Sequence, residues 1–99
     1  MRISPQQAQQ LRLAAQACAG ADARARIFGS RLDDHATGGD IDLLLEIPHP
    51  VANPAWLAAQ VSARASRVVH GRKVDVLLLA PNLLRLPIHD IALEKGQLL

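Results

Sequence analysis

The sequence predicts a mixed α/β (α+β) fold, with helices packed against a mixed sheet. At 99 residues the chain has room for one modest core, so we expect a single domain spanning residues 1–99. Apolar residues make up 49% and charged residues 20%, which is typical of a soluble globular protein. Segments with helical periodicity alternate with short apolar segments, and helical connections between strands predict a sheet with helices packed against it.

The first helix is predicted from its start and stop signals. Ser4 is suited to the N-cap, Pro5 to the first helical position and Gln7 to the third position of a capping box, and Gly20 ends the pattern. One face of this helix carries small or apolar side chains: Ala8, Leu11, Ala15 and Cys18. A short strand is expected next, over residues 24–29.

The central elements follow a Gly-Ser turn. We expect a brief helical segment near residues 31–36 and an apolar strand over residues 40–47, which Pro48 ends. The pair Asn53-Pro54 caps and starts a second long helix. Its apolar residues Leu57, Val61 and Val68 recur at helical spacing until Gly71.

The last third of the chain predicts one more strand and one more helix. Residues 73–80 form an apolar strand, and residues 88–95 form a short helix. Phe28 is expected in the core. Aromatic residues are scarce, so Trp56 is expected there too, and the alternative for Trp56 is a contact with a partner. The four histidines lack the spacing of a zinc site and are expected on the surface or in loops.

Two aspartates stand at the start of the strand over residues 40–47. Alternate side chains of a strand share a face, so Asp40 and Asp42 project together. Their apolar neighbours project the other way, into a core: Ile41, Leu43, Leu45 and Ile47. Two close carboxylates repel unless a cation neutralises them, and an all-oxygen site suits Mg²⁺ or Mn²⁺. The alternative is a pair of solvated residues on an open sheet face.

A third aspartate lies in the later strand. Asp75 is the one charged residue in an otherwise apolar run, and a buried carboxylate must be neutral, paired or bound to metal. A right-handed crossover would make this strand parallel to the earlier one and bring Asp75 to Asp40 and Asp42. Three carboxylates at one sheet edge can hold two divalent ions for phosphoryl displacement. The alternative is a buried ion pair of Asp75 with Arg67 or Arg72.

The order Gly29-Ser30, nine residues, Asp40-Ile41-Asp42 and a later Asp75 resembles the minimal nucleotidyltransferases of the DNA polymerase beta superfamily. The resemblance implies a polymerase-beta-like nucleotidyltransferase fold. It also implies that Gly29 and Ser30 grip the triphosphate of an NTP, that Asp40 and Asp42 bind Mg²⁺ or Mn²⁺, and that Asp75 ligates the metal that activates the acceptor hydroxyl.

Two neighbours of this motif are less informative. Arg31 follows the Gly-Ser turn, where it contacts phosphate or is a solvated turn residue. Gly38-Gly39 stands where many relatives have Ser or another polar residue before the aspartates. This departure predicts a looser backbone and not a loss of activity.

The resemblance further implies transfer of a nucleoside monophosphate, with ATP as the expected donor, to a hydroxyl on a partner protein. Relatives of this length are paired with a small helical HEPN-type protein, a toxin or a substrate-binding subunit, in two-component and toxin–antitoxin systems. The chain contains no Tyr, so a tyrosine acceptor would lie on the partner. The alternatives are a noncatalytic antitoxin-like binding module and nucleotidyl transfer to a small molecule.

Composition narrows the remaining classes. The net charge of +2 without a basic run predicts no direct binding to duplex nucleic acid. The single Cys18 excludes an internal disulfide, and the start of the chain has no secretory signal, so we expect a reducing cytoplasm. No apolar run approaches the length of a membrane span.

The C-terminal tail is rich in large apolar residues. The segments Leu83–Ile88 and Leu98-Leu99 hold more of them than a short terminus can readily bury. We therefore expect part of residues 83–99 to form an interface, in a homodimer or with the helical partner. The alternative is that these leucines complete the chain's own core.

Overall fold

The computed structural model describes residues 3–29 and 40–99 as a compact α+β domain. Within these residues it contains three helices and four strands. In chain order they are α1 (Pro5–Ala19), β1 (Arg24–Phe28), β2 (Ile41–Glu46), α2 (Pro54–Val68), β3 (Val74–Leu79), α3 (Pro87–Lys95) and β4 (Gln97–Leu98). The predicted order of these helices and of the first three strands is confirmed.

The caps predicted from sequence form the helix starts. The Gln7 backbone N–H donates to Oγ of Ser4 at 3.1 Å, and the Ser4 N–H donates to Oε1 of Gln7 at 3.1 Å, which completes the capping box. The side chain of Asn53 accepts from the Trp56 N–H in the same way at the start of α2.

The end of α2 differs slightly from its prediction. The helix ends at Val68, before the expected Gly71. Both His70 (φ 60°) and Gly71 (φ 83°) adopt the left-handed conformation, so the chain reverses over two residues. The Gly71 N–H donates to the Ser66 carbonyl at 2.8 Å, which satisfies one of the last helical carbonyls.

The strands form a mixed sheet in the order β3-β2-β1-β4, as the described residues define it. The predicted parallel pairing of β2 with β3 is confirmed, and α2 is the crossover between them. Strand β1 pairs antiparallel with β2 on one side and with the two-residue β4 on the other. Strand β4 was not predicted, because two residues carry no periodicity that a sequence pattern could show.

Helices α1 and α2 pack on each other and on the sheet around one hydrophobic core. Their buried faces contribute Leu11 and Ala15 from α1 and Val61 and Ala65 from α2. The four β2 residues predicted to face the core are all buried: Ile41, Leu43, Leu45 and Ile47. Leu44 points to the other face and is also completely buried, while α3 contacts both β1 and β2.

Two expectations about the core fail. Trp56 was expected inside, but 61% of its surface is exposed. Leu57 and Val61 lie on the face of α2 that packs against the core, and Trp56, one residue earlier, is rotated about 100° away from Leu57. Phe28 was also expected in the core and is only partly buried, near the edge of β1.

The prediction that every histidine lies on the surface or in a loop is wrong for His89. This residue is 3% exposed and lies in the first turn of α3. Its Nε2 donates to the carbonyl of Leu78 on β3 at 2.9 Å, and its Nδ1 accepts from the Leu86 N–H at 2.9 Å. These two partners require a neutral ring with its proton on Nε2. His89 thus caps α3 and ties it to the sheet.

Candidate functional site

The ends of three adjacent strands, β1, β2 and β3, lie side by side at one end of the sheet. In the strand register Asp42 lies directly opposite Phe28 of β1 on one side and Asp75 of β3 on the other. Directly opposed residues of neighbouring strands point to the same face, so the carboxylates of Asp42 and Asp75 share a face. Asp40 precedes β2 by one residue. The predicted convergence of Asp75 with the aspartates before and in β2 is confirmed.

Gly29 follows the last residue of β1, at this same end of the sheet. Its φ of +77° is a left-handed conformation that residues with a Cβ rarely adopt. A Cβ added at Gly29 would lie 2.5 Å from Oδ2 of Asp42 and 3.3 Å from its Cγ. Glycine therefore lets the backbone after β1 lie against the carboxylate of Asp42, and any larger residue would displace that carboxylate.

The electrostatic environment of Asp42 reflects its neighbours. Burial, followed by the negative charges of Asp75 and Asp40, raises the pKa of Asp42 above its ordinary value of 3.8. Asp75 and Asp40 are thus close enough to Asp42 to disfavour its charged form. A cation placed among them would favour the charged form of Asp42.

Among the described residues, Lys73, which directly precedes β3, brings a positive charge to these carboxylates. Its Nζ lies 3.6 Å from Oδ1 of Asp75 and 3.9 Å from Oδ2 of Asp40. The side chain of Lys73 is 69% exposed, so these are solvated ion pairs that contribute little to stability. The sequence interpretation missed Lys73 as a site residue. Its position two residues before Asp75 was the available signal, because that spacing puts both on one face.

The expectation that Asp75 is buried is wrong. Its side chain is 48% exposed, similar to that of Asp40 at 51%. The apolar residues around Asp75 in the sequence suggested burial on both faces. The ion pair of Asp75 is with Lys73, whereas the sequence alternative named Arg67 or Arg72.

The fit of these residues to a divalent cation rests on their chemistry. Carboxylate oxygens are the ligands that Mg²⁺ and Mn²⁺ prefer, and the repulsion felt by Asp42 is the kind that such an ion relieves. In the part of the chain that the structure describes, no three His, Cys, Asp or Glu side chains are already arranged as a metal site. The donor set fits a divalent ion, and side-chain rearrangement must bring the carboxylates around it.

Several predicted residues lie outside the described part of the chain. These are Ser30 and Arg31 of the expected triphosphate site, Gly38 and Gly39 before the aspartates, and the helical segment expected near residues 31–36. Of the proposed phosphate-binding residues, the structure therefore positions Gly29 alone.

A groove lies at the opposite ends of these three strands, away from the carboxylates. It measures about 830 Å³, and its lining includes Glu46 and Leu79 at the ends of β2 and β3. Asp42 is four residues from Glu46 along β2, which corresponds to about 13 Å of extended chain. Because the groove lies this far from the carboxylates, the groove does not serve as an acceptor pocket for them.

Comparison with known proteins adds no family to this description. No protein family, curated protein or solved structure matches the chain. Among the described helices none is both long and apolar enough to cross a membrane.

Proposed function

We propose that this chain is a polymerase-beta-like nucleotidyltransferase that transfers a nucleoside monophosphate from an NTP, with ATP as the donor, to a hydroxyl on a partner protein. The observation that carries the proposal is the meeting of Gly29, Asp42 and Asp75 on three adjacent strand ends, with Asp40 one residue before β2. The backbone of Gly29, which lies against the carboxylate of Asp42, supports the proposal as well.

Each residue has a stated role in this proposal. Asp40 and Asp42 hold Mg²⁺ or Mn²⁺, and Asp75 joins them on the side of the acceptor hydroxyl. Bound divalent ions would stabilise the attacking and leaving oxygens of an in-line displacement. The hydroxyl of Ser30 and the backbone around Gly29 and Ser30 are proposed to bind the phosphate oxygens.

The proposal is tested with ATP that is labelled at either the α- or the γ-phosphate. With α-labelled ATP, Mg²⁺ and a small helical HEPN-type protein as the proposed partner, label should transfer to protein, while γ-label should leave as pyrophosphate. Asp75→Ala should lower the rate by at least about a thousandfold, because metal stabilisation of the reacting oxygens amounts to several kcal/mol and each 1.36 kcal/mol is about tenfold. The measurement is label per protein, resolved on a gel.

The control is Asp22→Asn, which removes an exposed carboxylate far from the carboxylates of the site and outside the exposed apolar surface around α3, and should leave transfer unchanged. Transfer of the γ-label would show a kinase and contradict the proposal. Tight binding of the partner without any transfer would favour the noncatalytic binding module.

The surface around α3 supports a protein partner. Five large apolar side chains of this region are at least 41% exposed: Leu84, Leu86, Ile88, Ile91 and Leu98. The alternative of core packing holds for Leu83 and Leu99, which lie against the core. The tail is thus divided between core and surface, and its exposed part is the proposed interface, either with the helical HEPN-type protein or with a second copy.

Leu84→Asp tests this interface. Because Leu84 is 78% exposed, the variant should fold with an unchanged melting temperature, yet its association should weaken at least tenfold, about the effect of losing one central apolar contact. Light scattering of the chain alone and with its partner measures the association. Leu13→Asp is the control, since Leu13 is also an exposed leucine, at 52%, but lies on α1. A wild-type chain that stays monomeric with and without partner would contradict the interface.

A further inference from the structure

The two carboxylates that flank Asp42 already have a positive charge beside them. Lys73 contacts both Asp40, which directly precedes β2, and Asp75 of β3. Asp42 lies beside Asp75 in the strand register and feels the charges of both neighbours. The ammonium group of Lys73 thus lies within the carboxylate cluster to which the proposed function assigns a divalent ion.

We propose that Lys73 is a displaceable counter-ion of the metal site: it holds Asp40 and Asp75 together in the metal-free chain, and its ammonium group moves away when a divalent cation binds. This inference rests on the proposed function for the identity of the competing cation. The ion pairs themselves are independent of it.

The geometry favours displacement. The distances of 3.6 and 3.9 Å are those of loose ion pairs, and the partly exposed carboxylates keep much of their hydration. Lysine carries its charge on a flexible four-carbon stem, so the ammonium group can return to water without movement of the backbone. A divalent ion has twice the charge and accepts oxygen ligands directly, so it competes effectively for the same carboxylates.

Competition between Lys73 and a metal ion predicts the direction in which a Lys73 variant changes metal affinity. While Lys73 pairs with the carboxylates, an incoming ion must first replace it, and the positive charge also repels the ion. Removal of this charge should therefore tighten metal binding. A residue that assisted metal binding, or that only supported the fold, would have the opposite effect or none.

The experiment measures Mn²⁺ binding in the absence of nucleotide, with the free ion detected by electron paramagnetic resonance. Lys73→Gln should bind Mn²⁺ about three- to tenfold more tightly than wild type, the range expected for the loss of two exposed ion pairs. Lys73→Arg keeps the charge and should bind Mn²⁺ within about twofold of wild type. Arg24→Gln is the matched control, because it removes a positive charge from the opposite end of the sheet and should leave the affinity unchanged.

A second measurement uses the metal-free chain. In chelator, Lys73→Gln should melt below wild type by no more than about 5 °C, because the carboxylates lose a counter-ion whose exposed ion pairs contribute little to stability. Asp40→Asn should partly restore the melting temperature. Unchanged or weaker Mn²⁺ binding by Lys73→Gln would overturn the counter-ion role while leaving the proposed metal site intact. Absence of Mn²⁺ binding by wild type and every variant would overturn both.

Discussion

Replacing Asp42 with Asn should reverse the order of stability between wild type and variant when metal is added. Without metal the variant should be the more stable protein at neutral pH, since one of three repelling carboxylates has gone. With Mg²⁺ and a nonhydrolysable NTP at about a hundred times their dissociation constants, wild type should gain about 2.7 kcal/mol. The variant should gain much less, because its amide is a poorer ligand than a carboxylate. Thermal melts in chelator and in Mg²⁺ with nucleotide measure both effects.

The pH dependence of stability in wild type and Asp42→Asn gives an independent check. The pKa of Asp42 is raised in the folded chain above 3.8, so the folded state holds this proton more tightly than the unfolded state does. Stability therefore falls as the pH rises through the interval between the two pKa values, and the loss is complete above the raised one. Asp42→Asn removes that loss, so its advantage in chelator should vanish below pH 3.8 and be full at neutral pH.

The control for this prediction is Asp22→Asn, which removes an exposed carboxylate at the opposite end of the sheet. It should show neither the advantage in chelator nor a reduced response to metal. An equal metal response in wild type and Asp42→Asn would contradict the assignment of Asp42 to the site.

The second large effect is expected at His89. His89→Ala should lower the free energy of unfolding by about 2–4 kcal/mol, since it leaves a cavity and removes the partners of the Leu78 carbonyl and the Leu86 N–H. For a domain of this size each kcal/mol corresponds to about 4–8 °C, so the melting temperature should fall by about 10 °C or more. Urea unfolding followed by circular dichroism measures the loss.

His49→Ala is the matched control, because His49 is exposed and bonds only to the neighbouring Pro50 carbonyl among the described residues. It should change the free energy of unfolding by no more than about 0.5 kcal/mol. His89→Gln should keep part of the lost stability, since an amide can still donate to the Leu78 carbonyl. Equal losses for His89→Ala and His49→Ala would contradict the structural role of His89.

The elements that could be predicted from sequence are those whose signals are local. Ser4 with Gln7, and Asn53 with Pro54, define helix starts because a cap is satisfied within four residues of chain. Alternation along β2 identified its core face correctly, since neighbouring side chains of a strand always point to opposite sides. The position of Asp42 and Asp75 at one end of the sheet followed from the handedness of the crossover through α2.

The remaining features depended on what each segment packs against, which no local pattern contains. Trp56 proved exposed and His89 buried, the opposite of what was expected for each, because burial depends on which side of a helix meets the sheet. Asp75 proved accessible although its sequence neighbours are apolar, because the exposure of a strand residue depends on what covers its face of the sheet. Strand β4 exists only because β1 offers it a free edge.

The sequence by itself determined the mixed helix and strand order, the ends of the main helices and the set of aspartates, because these depend on capping, periodicity and residue chemistry within a few positions. Only the tertiary structure decided that Gly29 lies against Asp42, that Lys73 joins Asp40 to Asp75, and that His89 links α3 to β3. Each of these contacts joins residues from different elements. Their formation depends on strand register and helix docking, which are properties of the packed chain.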